Sequence, residues 1–84
     1  MYIVVTYDIS NDKQRSKLAK NLLQFGIRTQ KSFFECEVNK RELAIIKKLL
    51  EKYSEPEDSV TIYETNEIVR IGDVKYLEVD DLVF

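Results

Sequence analysis

The chain has 84 residues, one cysteine, no histidine and a formal net charge of −2 at pH 7. This length predicts a single domain, 1–84, with a small core, and the lone Cys36 excludes both a disulfide framework and a cysteine-rich metal cluster. Because no apolar run approaches the roughly 20 residues of a membrane span and no signal peptide opens the sequence, we expect a cytoplasmic protein without membrane contact.

The first three elements in chain order are predicted to be a strand, a helix and a strand. Residues Tyr2–Asp8 are rich in β-branched and aromatic side chains, which favour strands. A helix should begin at the capping side chains of residues 10–12 and end at Gly26, because apolar residues repeat at helical spacing at Leu18, Leu22 and Phe25. From Arg28 to Val38 the side chains alternate between a mostly apolar and a mostly charged face. This alternation predicts one half-buried strand with Cys36 in the core.

A second helix and three short strands complete the predicted elements. Asn39 followed by Glu42 matches a capping box, and the helix should end near Ser54, with an apolar face of Leu43, Ile46, Leu49, Leu50 and Tyr53. The predicted strands are Val60–Tyr63, Ile68–Ile71 and Val74–Val79. From these elements we predict an α+β fold, a ferredoxin-like βαββαβ sandwich with an extra C-terminal strand and both helices on one face of the sheet.

The face of the sheet opposite the helices, which we call the open face, is a candidate dimer interface. Tyr2, Phe33 and Tyr63 lie on predicted strands, and if they share this face they form an apolar patch too large for a stable monomer. A core of this size rarely supplies more than about 3–5 kcal/mol of stability, which also favours oligomerisation. We therefore predict a homodimer through this face. The alternative is that the three aromatic residues only promote strand formation.

Charge is distributed unevenly along the chain. Residues 1–34 contain six basic and two acidic residues, whereas residues 55–84 contain nine acidic and two basic residues. This asymmetry predicts one surface for a polyanion and another for a basic partner, and the tail 74–84 is the candidate for dimer or partner contacts. Scattered charges also solvate helix faces, and this is our interpretation of the second helix and of Lys20.

Asp8, at the end of the first predicted strand, is the candidate catalytic and metal-binding residue. Because the chain has no histidine, hydrolysis here would need water activated by a bound cation, and carboxylates bind Mg²⁺ or Mn²⁺. One aspartate is a sparse metal site, but a symmetric dimer would bring two copies together. A second interpretation remains open, in which Asp8 caps the first helix or forms a turn, although Ser10 offers a cap nearer the helix.

Four basic residues within the first 34 positions are candidate nucleic-acid ligands. Arg15 and Lys17 fall in turns that adjoin Asp8, and Arg28 and Lys31 follow on the next strand. Cations beside a carboxylate metal site are what a phosphodiester substrate requires, because they hold the flanking phosphates. Phosphate contacts do not read bases, so we expect binding of DNA, RNA or both with weak sequence preference.

Several blocks of sequence carry a resemblance to a known family: Tyr7-Asp8-Ile9-Ser10, Arg15, Gly26, Arg28-x-Gln30-x-Ser32-x-Phe34-Glu35-Cys36 and Asp58–Tyr63. At this spacing the chain resembles the family of small CRISPR-associated proteins, type two. This family supplies the small subunit of the pair of proteins that acquires spacers. The resemblance implies a homodimer of ferredoxin-like subunits, described in some members as a metal-dependent endonuclease. It also implies a scaffold that bridges two dimers of the CRISPR integrase subunit and helps to hold duplex DNA for insertion into the repeat array.

The resemblance also implies roles for individual residues. By position, Asp8 matches the metal-binding aspartate of the family, and Tyr7 precedes it as in the motif. Arg15, Arg28 and Phe34 match positions associated with nucleic-acid handling or activity.

Two other classes of function remain open for this chain. One is a toxin-type ribonuclease of the same fold, which would share the chemistry of Asp8 but not the integrase partner. The other is a non-catalytic nucleic-acid-binding scaffold. Among such modules, RNA-recognition motifs carry a glycine and aromatic signature on the third strand, which Ser59–Glu64 lacks.

Overall fold

A computed structural model describes residues 1–65 with their side chains, together with the backbone of two later strands; residues 66, 67, 72, 73 and 78–84 lie outside the described residues. The elements in chain order are β1 (Tyr2–Asp8), α1 (Asp12–Leu22), β2 (Gly26–Gln30), β3 (Phe33–Glu37), α2 (Lys40–Tyr53), β4 (Ser59–Thr65), β5 (Ile68–Ile71) and β6 (Val74–Leu77).

The first four strands form one antiparallel sheet in the order β2-β3-β1-β4. With α1 and α2 in the two crossovers, this is the predicted ferredoxin-like βαββαβ sandwich, and the α+β assignment is confirmed. Strands β5 and β6 pair with each other in a separate antiparallel hairpin. The tail predicted to contact a partner, 74–84, falls largely outside the described residues, which include only the backbone of β6 from it.

The core lies between the sheet and the two helices. Alternate residues of a strand point to the same face, so β1 buries Ile3, Val5 and Tyr7 against the helices. Strand β3 adds Phe34 and Cys36, and the helices contribute Leu18, Ala19, Leu22, Ile46 and Leu50. The prediction that Cys36 is a core residue is confirmed.

The prediction of one strand over residues 28–38 is wrong in one respect. This segment forms two strands, which are joined by a turn at Lys31 and Ser32. Phe34 and Cys36 keep their alternation within β3, and the turn has neither glycine nor proline to mark it. Strand β2 therefore hydrogen-bonds to β3, with an irregular register between Arg28 and Gln30.

Gly26 does not end the first helix as predicted, because α1 stops at Leu22 and Gly26 is the first residue of β2. A Cβ placed on Gly26 would collide with the backbone carbonyl oxygen of Glu35 and with Cys36. Glycine is thus required by the close approach of β2 to β3.

The second helix begins and ends as predicted. The side chain of Asn39 accepts from the Glu42 N–H at 2.8 Å, and the Glu42 carboxylate accepts from the Asn39 N–H at 3.0 Å, which is a complete capping box. Helix α2 ends at Tyr53, with Ser54 as the C-terminal cap. In the part of the chain that the structure describes, neither helix is long and apolar enough to cross a membrane.

Candidate nucleic-acid and metal site

One end of the four-stranded sheet brings together the segments that carry the candidate site residues. Strand β1 ends there at Asp8, whose antiparallel neighbour on β4 is Ser59. The turn between β2 and β3 lies at the same end, because the Tyr7 N–H donates to the carbonyl oxygen of Ser32 at 3.3 Å. The start of α1 follows within four residues of Asp8.

The carboxylate of Asp8 is exposed and makes no hydrogen bond or ion pair with any residue of 1–65. Because strand side chains alternate, Asp8 projects on the open face with Tyr2, whereas Tyr7 projects into the core. The interpretation of Asp8 as a helix cap is wrong, since the side chain of Asn11 caps α1 by accepting from the Gln14 N–H at 3.0 Å.

Two side chains fix the loop that follows Asp8. Arg15 Nη1 donates to the carbonyl oxygen of Ile9 at 2.7 Å. Asp58 Oδ1 accepts from both the N–H and the Oγ of Ser10, each at 3.3 Å. Asp58 Oδ2 also accepts from the Glu55 N–H at 2.8 Å. These donors, Glu55 first and then Ser10, hold the pKa of Asp58 below its usual value.

A groove of about 290 Å³ runs between α1 and β2, and four cations line it: Arg15, Lys20, Arg28 and Lys31. Of the four residues predicted to bind nucleic acid, Arg15, Arg28 and Lys31 meet in this groove, whereas Lys17 lies exposed on α1 outside the lining. We call it the basic groove.

Lys20 was not among the predicted ligands, because we interpreted it as an ordinary solvated residue of the helix. The signal that identifies it is helical spacing: residues 15, 16, 19, 20 and 23 form one stripe of α1, and all five line the basic groove.

The two arginines of the groove are held in different ways. Arg15, whose side chain is 25% exposed, forms an ion pair with Asp12 besides its bond to Ile9. Arg28 donates from Nε to the carbonyl oxygen of Lys31 at 3.0 Å, and Nη2 donates to the same oxygen. These contacts leave further guanidinium donors, since each group carries five N–H bonds.

Tyr7 lies in the core next to the basic groove. Its ring stacks on Phe34 with centroids 6.2 Å apart, and its hydroxyl has no hydrogen-bond partner among the described residues. Burial raises the pKa of Tyr7, while the charges of Arg28 and Arg15 act in the opposite direction. Tyr7 is therefore a neutral phenol at physiological pH and is unsuited to act as a general base.

The open face carries all three predicted interface residues. Strand register pairs Tyr2 with both Glu37 and Thr65, and Val4 with both Glu35 and Tyr63, and places Phe33 beside Thr6 on the same side. Within residues 1–65, the strand positions of this face include the carboxylates of Asp8, Glu35 and Glu37 and no lysine or arginine. The carboxylates of Asp8, Glu35 and Glu37 thus lie on the face opposite the basic groove, which is on the helix side of the sheet.

Within the residues that the structure describes, a single copy of the chain offers a divalent cation few protein ligands around Asp8. The described residues contain no group of three or more histidine, cysteine, aspartate or glutamate side chains placed to hold a metal. Burial, followed by the charge of Glu35, raises the pKa of Cys36 to about 11, so this buried thiol is protonated at neutral pH. Two Asp8 carboxylates, one from each copy of a dimer, would fit Mg²⁺, which commonly binds one or two carboxylates and retains several waters.

Comparisons with known proteins agree on one family. The family model described as "CRISPR associated protein Cas2" matches residues 1–70. A Moorella thermoacetica protein named CRISPR-associated endoribonuclease Cas2 1 is 41% identical over 73 residues, covering 80% of this chain and 76% of that protein.

Solved structures share the fold of this chain. A hypothetical protein from Thermus thermophilus has a TM-score of 0.76 and 32% identity, and the match covers 90% of this chain and 94% of that one. Cas2 from Streptococcus pyogenes has a TM-score of 0.72 and 32% identity, covering 79% and 87% of the two chains.

Proposed function

The chain belongs to the CRISPR-associated protein Cas2 family, and from this premise we propose that it is a dimeric, metal-dependent endonuclease subunit of a CRISPR system. In this proposal the basic groove binds the phosphate backbone of RNA or DNA, and Asp8 of each copy holds Mg²⁺ or Mn²⁺. The observation that carries the proposal is the unpartnered carboxylate of Asp8 at the same end of the sheet as the basic groove.

Dimerisation through the open face is part of this proposal, because each copy contributes one carboxylate, that of Asp8, to the proposed metal site. Tyr2, Phe33 and Tyr63 share this face: Tyr63 is 39% exposed within the single chain, Tyr2 and Phe33 are half-buried, and Val4 between them is buried. A cation bound between two Asp8 side chains would polarise a phosphate oxygen and supply an activated water. It would also neutralise the repulsion between two like charges brought together by the dimer axis.

The protein's own side chains would bind and orient the substrate. Arg15 and Arg28 offer guanidinium donors to phosphate oxygens, and Lys20 and Lys31 add charge on both walls of the groove. Tyr7 remains in the core, where its ring stacks on Phe34, on whose ring Arg28 lies, and its neutral hydroxyl does not accept a proton. All these contacts recognise phosphate and charge, so the proposal includes weak sequence preference.

The same family membership supports a scaffold role in spacer acquisition, in which the dimer bridges integrase subunits in the cytoplasm. The acidic tail, 74–84, is the segment that we propose for contacts with the integrase or the dimer mate, on the basis of its charge. Capture of the integrase subunit by purified protein tests this part. Cleavage without capture would favour the toxin-type ribonuclease, and capture without cleavage the non-catalytic scaffold.

The nuclease part is tested with end-labelled single-stranded RNA, single-stranded DNA and duplex DNA of one sequence. Each is incubated with the purified dimer in Mg²⁺, in Mn²⁺ and in chelator. We expect cleavage of at least one substrate that requires the metal and has little preference for sequence. Cleavage that persists in chelator would contradict the proposed role of the metal.

A further inference from the structure

Asp58 joins the two segments that flank the end of β1. Its Oδ1 accepts from the N–H and the Oγ of Ser10, two residues after Asp8, at 3.3 Å each. On the other side, the residue next to it, Ser59, is the antiparallel neighbour of Asp8 on β4. The carboxylate thus ties the loop after Asp8 to the start of the adjacent strand.

The position of Asp58 is itself fixed by its own loop. Oδ2 accepts from the Glu55 N–H at 2.8 Å, and the Asp58 N–H donates to the carbonyl oxygen of Glu55 at 2.9 Å. Both carboxylate oxygens are therefore engaged by donors. An ionised acceptor forms stronger hydrogen bonds than a neutral one, and the donors around Asp58 lower its pKa, which favours the ionised form.

We propose that Asp58 is a positioning residue for Asp8, because its hydrogen bonds to Ser10 fix the backbone that orients the metal-binding carboxylate. This inference rests on the proposed function, since it requires that Asp8 binds a metal ion. Asp58 acts through Ser10 and does not itself contact the metal.

Such support matters most at a site with few protein ligands. When two carboxylates are the only protein groups that bind a cation, conformational freedom of either side chain directly reduces the affinity of the site for the cation. Residues that orient metal ligands typically contribute about 10- to 100-fold in metal affinity or activity. Because Asp58 acts through the backbone, we expect its contribution at the lower end, about tenfold.

The test measures Mn²⁺ binding to the purified dimer by electron paramagnetic resonance, without substrate. Asp58→Asn keeps the shape of the side chain but turns one acceptor into a donor, which then faces an N–H of Ser10 or Glu55. We expect Mn²⁺ to bind about tenfold more weakly. Ser10→Ala removes only the hydroxyl bond and should weaken binding less, and the double variant should be no weaker than Asp58→Asn alone.

Two controls separate positioning from general effects. Glu57→Gln makes the same change in charge one residue away, at an exposed side chain, and should leave Mn²⁺ affinity unchanged. Ile46→Val weakens the core at a fully buried residue of α2, and it should lower the melting temperature without changing Mn²⁺ affinity.

The outcomes distinguish this inference from the function on which it rests. If Asp8→Asn abolishes Mn²⁺ binding while Asp58→Asn and Ser10→Ala bind like wild type, the positioning role is overturned and the metal site stands. If Asp8→Asn still binds Mn²⁺ like wild type, the proposed metal site fails, and the positioning role with it. Equal losses in Asp58→Asn and Glu57→Gln would overturn the inference in favour of a general charge effect. If Asp58→Asn fails to fold, Ser10→Ala becomes the test. An unchanged Mn²⁺ affinity of the Ser10→Ala variant would then overturn the inference.

Discussion

The guanidinium of Arg28 lies over the ring of Phe34, with Cζ 5.8 Å from the ring centroid. Phe34 is fully buried, so its ring is a fixed base for the exposed side chain of Arg28, which also donates to the carbonyl oxygen of Lys31. A cation in this position is attracted to the ring face and keeps its in-plane N–H donors available. The interaction thus orders Arg28 at the wall of the basic groove before any phosphate binds.

Arg28→Ala should weaken nucleic-acid binding for all sequences alike, because the guanidinium binds phosphate and does not read bases. The slope of log K against log salt should fall by roughly 0.7–0.9 for each phosphate that the variant no longer neutralises. Lys48→Ala is the matched control, since Lys48 is an exposed cation of α2 outside the groove. Equal weakening in the two variants, measured by fluorescence anisotropy across salt concentrations, would contradict the assignment of binding to the groove.

Tyr7→Phe should leave the free energy of unfolding unchanged or slightly higher. The Tyr7 hydroxyl is buried without a partner among the described residues, so its removal ends a desolvation cost and breaks no hydrogen bond. Urea denaturation measures the effect, and Tyr7→Ala serves as the contrast because it deletes the ring, at about 3–5 kcal/mol. A decrease of more than about 1.5 kcal/mol in Tyr7→Phe would indicate that the hydroxyl does form a hydrogen bond.

Cys36 should resist thiol reagents in the native protein at pH 7–8. It is buried, and its pKa is raised to about 11 by burial and then by Glu35, so almost no thiolate is present. Because the folded state has the higher pKa, this group's contribution to stability is complete below the unfolded value near 9 and is lost as pH rises toward 11. Native and urea-unfolded samples treated with Ellman's reagent provide the measurement, and rapid native labelling would refute the prediction.

Tyr63→Asp should convert the dimer to a monomer, because it places a charge on an apolar interface that already contains carboxylates. The wild-type dimer should bury more than about 1,000 Å² of total surface. Ile45→Asp is the matched control, since Ile45 is 42% exposed, close to the 39% of Tyr63, but lies on α2 away from the open face. Light scattering at micromolar concentration should show a dimer for the Ile45→Asp variant. If the Tyr63→Asp variant is also a dimer, Tyr63 does not lie in the dimer interface.

The sequence predicts a secondary-structure element correctly where the spacing of its hydrophobic residues and its capping residues indicate the same segment. Helix α2 is an example, because the Asn39–Glu42 box and its apolar stripe mark the same segment. The turn at Lys31 was missed, since two strands whose alternation continues across a turn without glycine or proline look like one strand. Gly26 was misassigned because a glycine that follows a helix resembles a helix end, and only the approach of Glu35 shows its actual requirement.

The candidate site was predictable in its residues and not in its arrangement. Asp8 and Arg28 stand out in sequence by charge and position, but their placement relative to the two faces depends on strand register. Lys20 joins the groove through the docking of α1 against β2. Asp58 lies 48 residues from Ser10, so their hydrogen bond becomes visible only when β4 pairs with β1.

The most direct test of the central claim is the rate of Mg²⁺-dependent phosphodiester cleavage by Asp8→Asn, with Glu57→Gln as the control that removes a carboxylate elsewhere. Both proteins are prepared free of contaminating nuclease and shown to be dimeric. The account predicts that Asp8→Asn loses cleavage by at least about 100-fold, because the amide is a poor ligand for Mg²⁺, while Glu57→Gln cleaves like wild type. Unchanged Mg²⁺-dependent cleavage by Asp8→Asn would contradict the claim that Asp8 holds the catalytic metal.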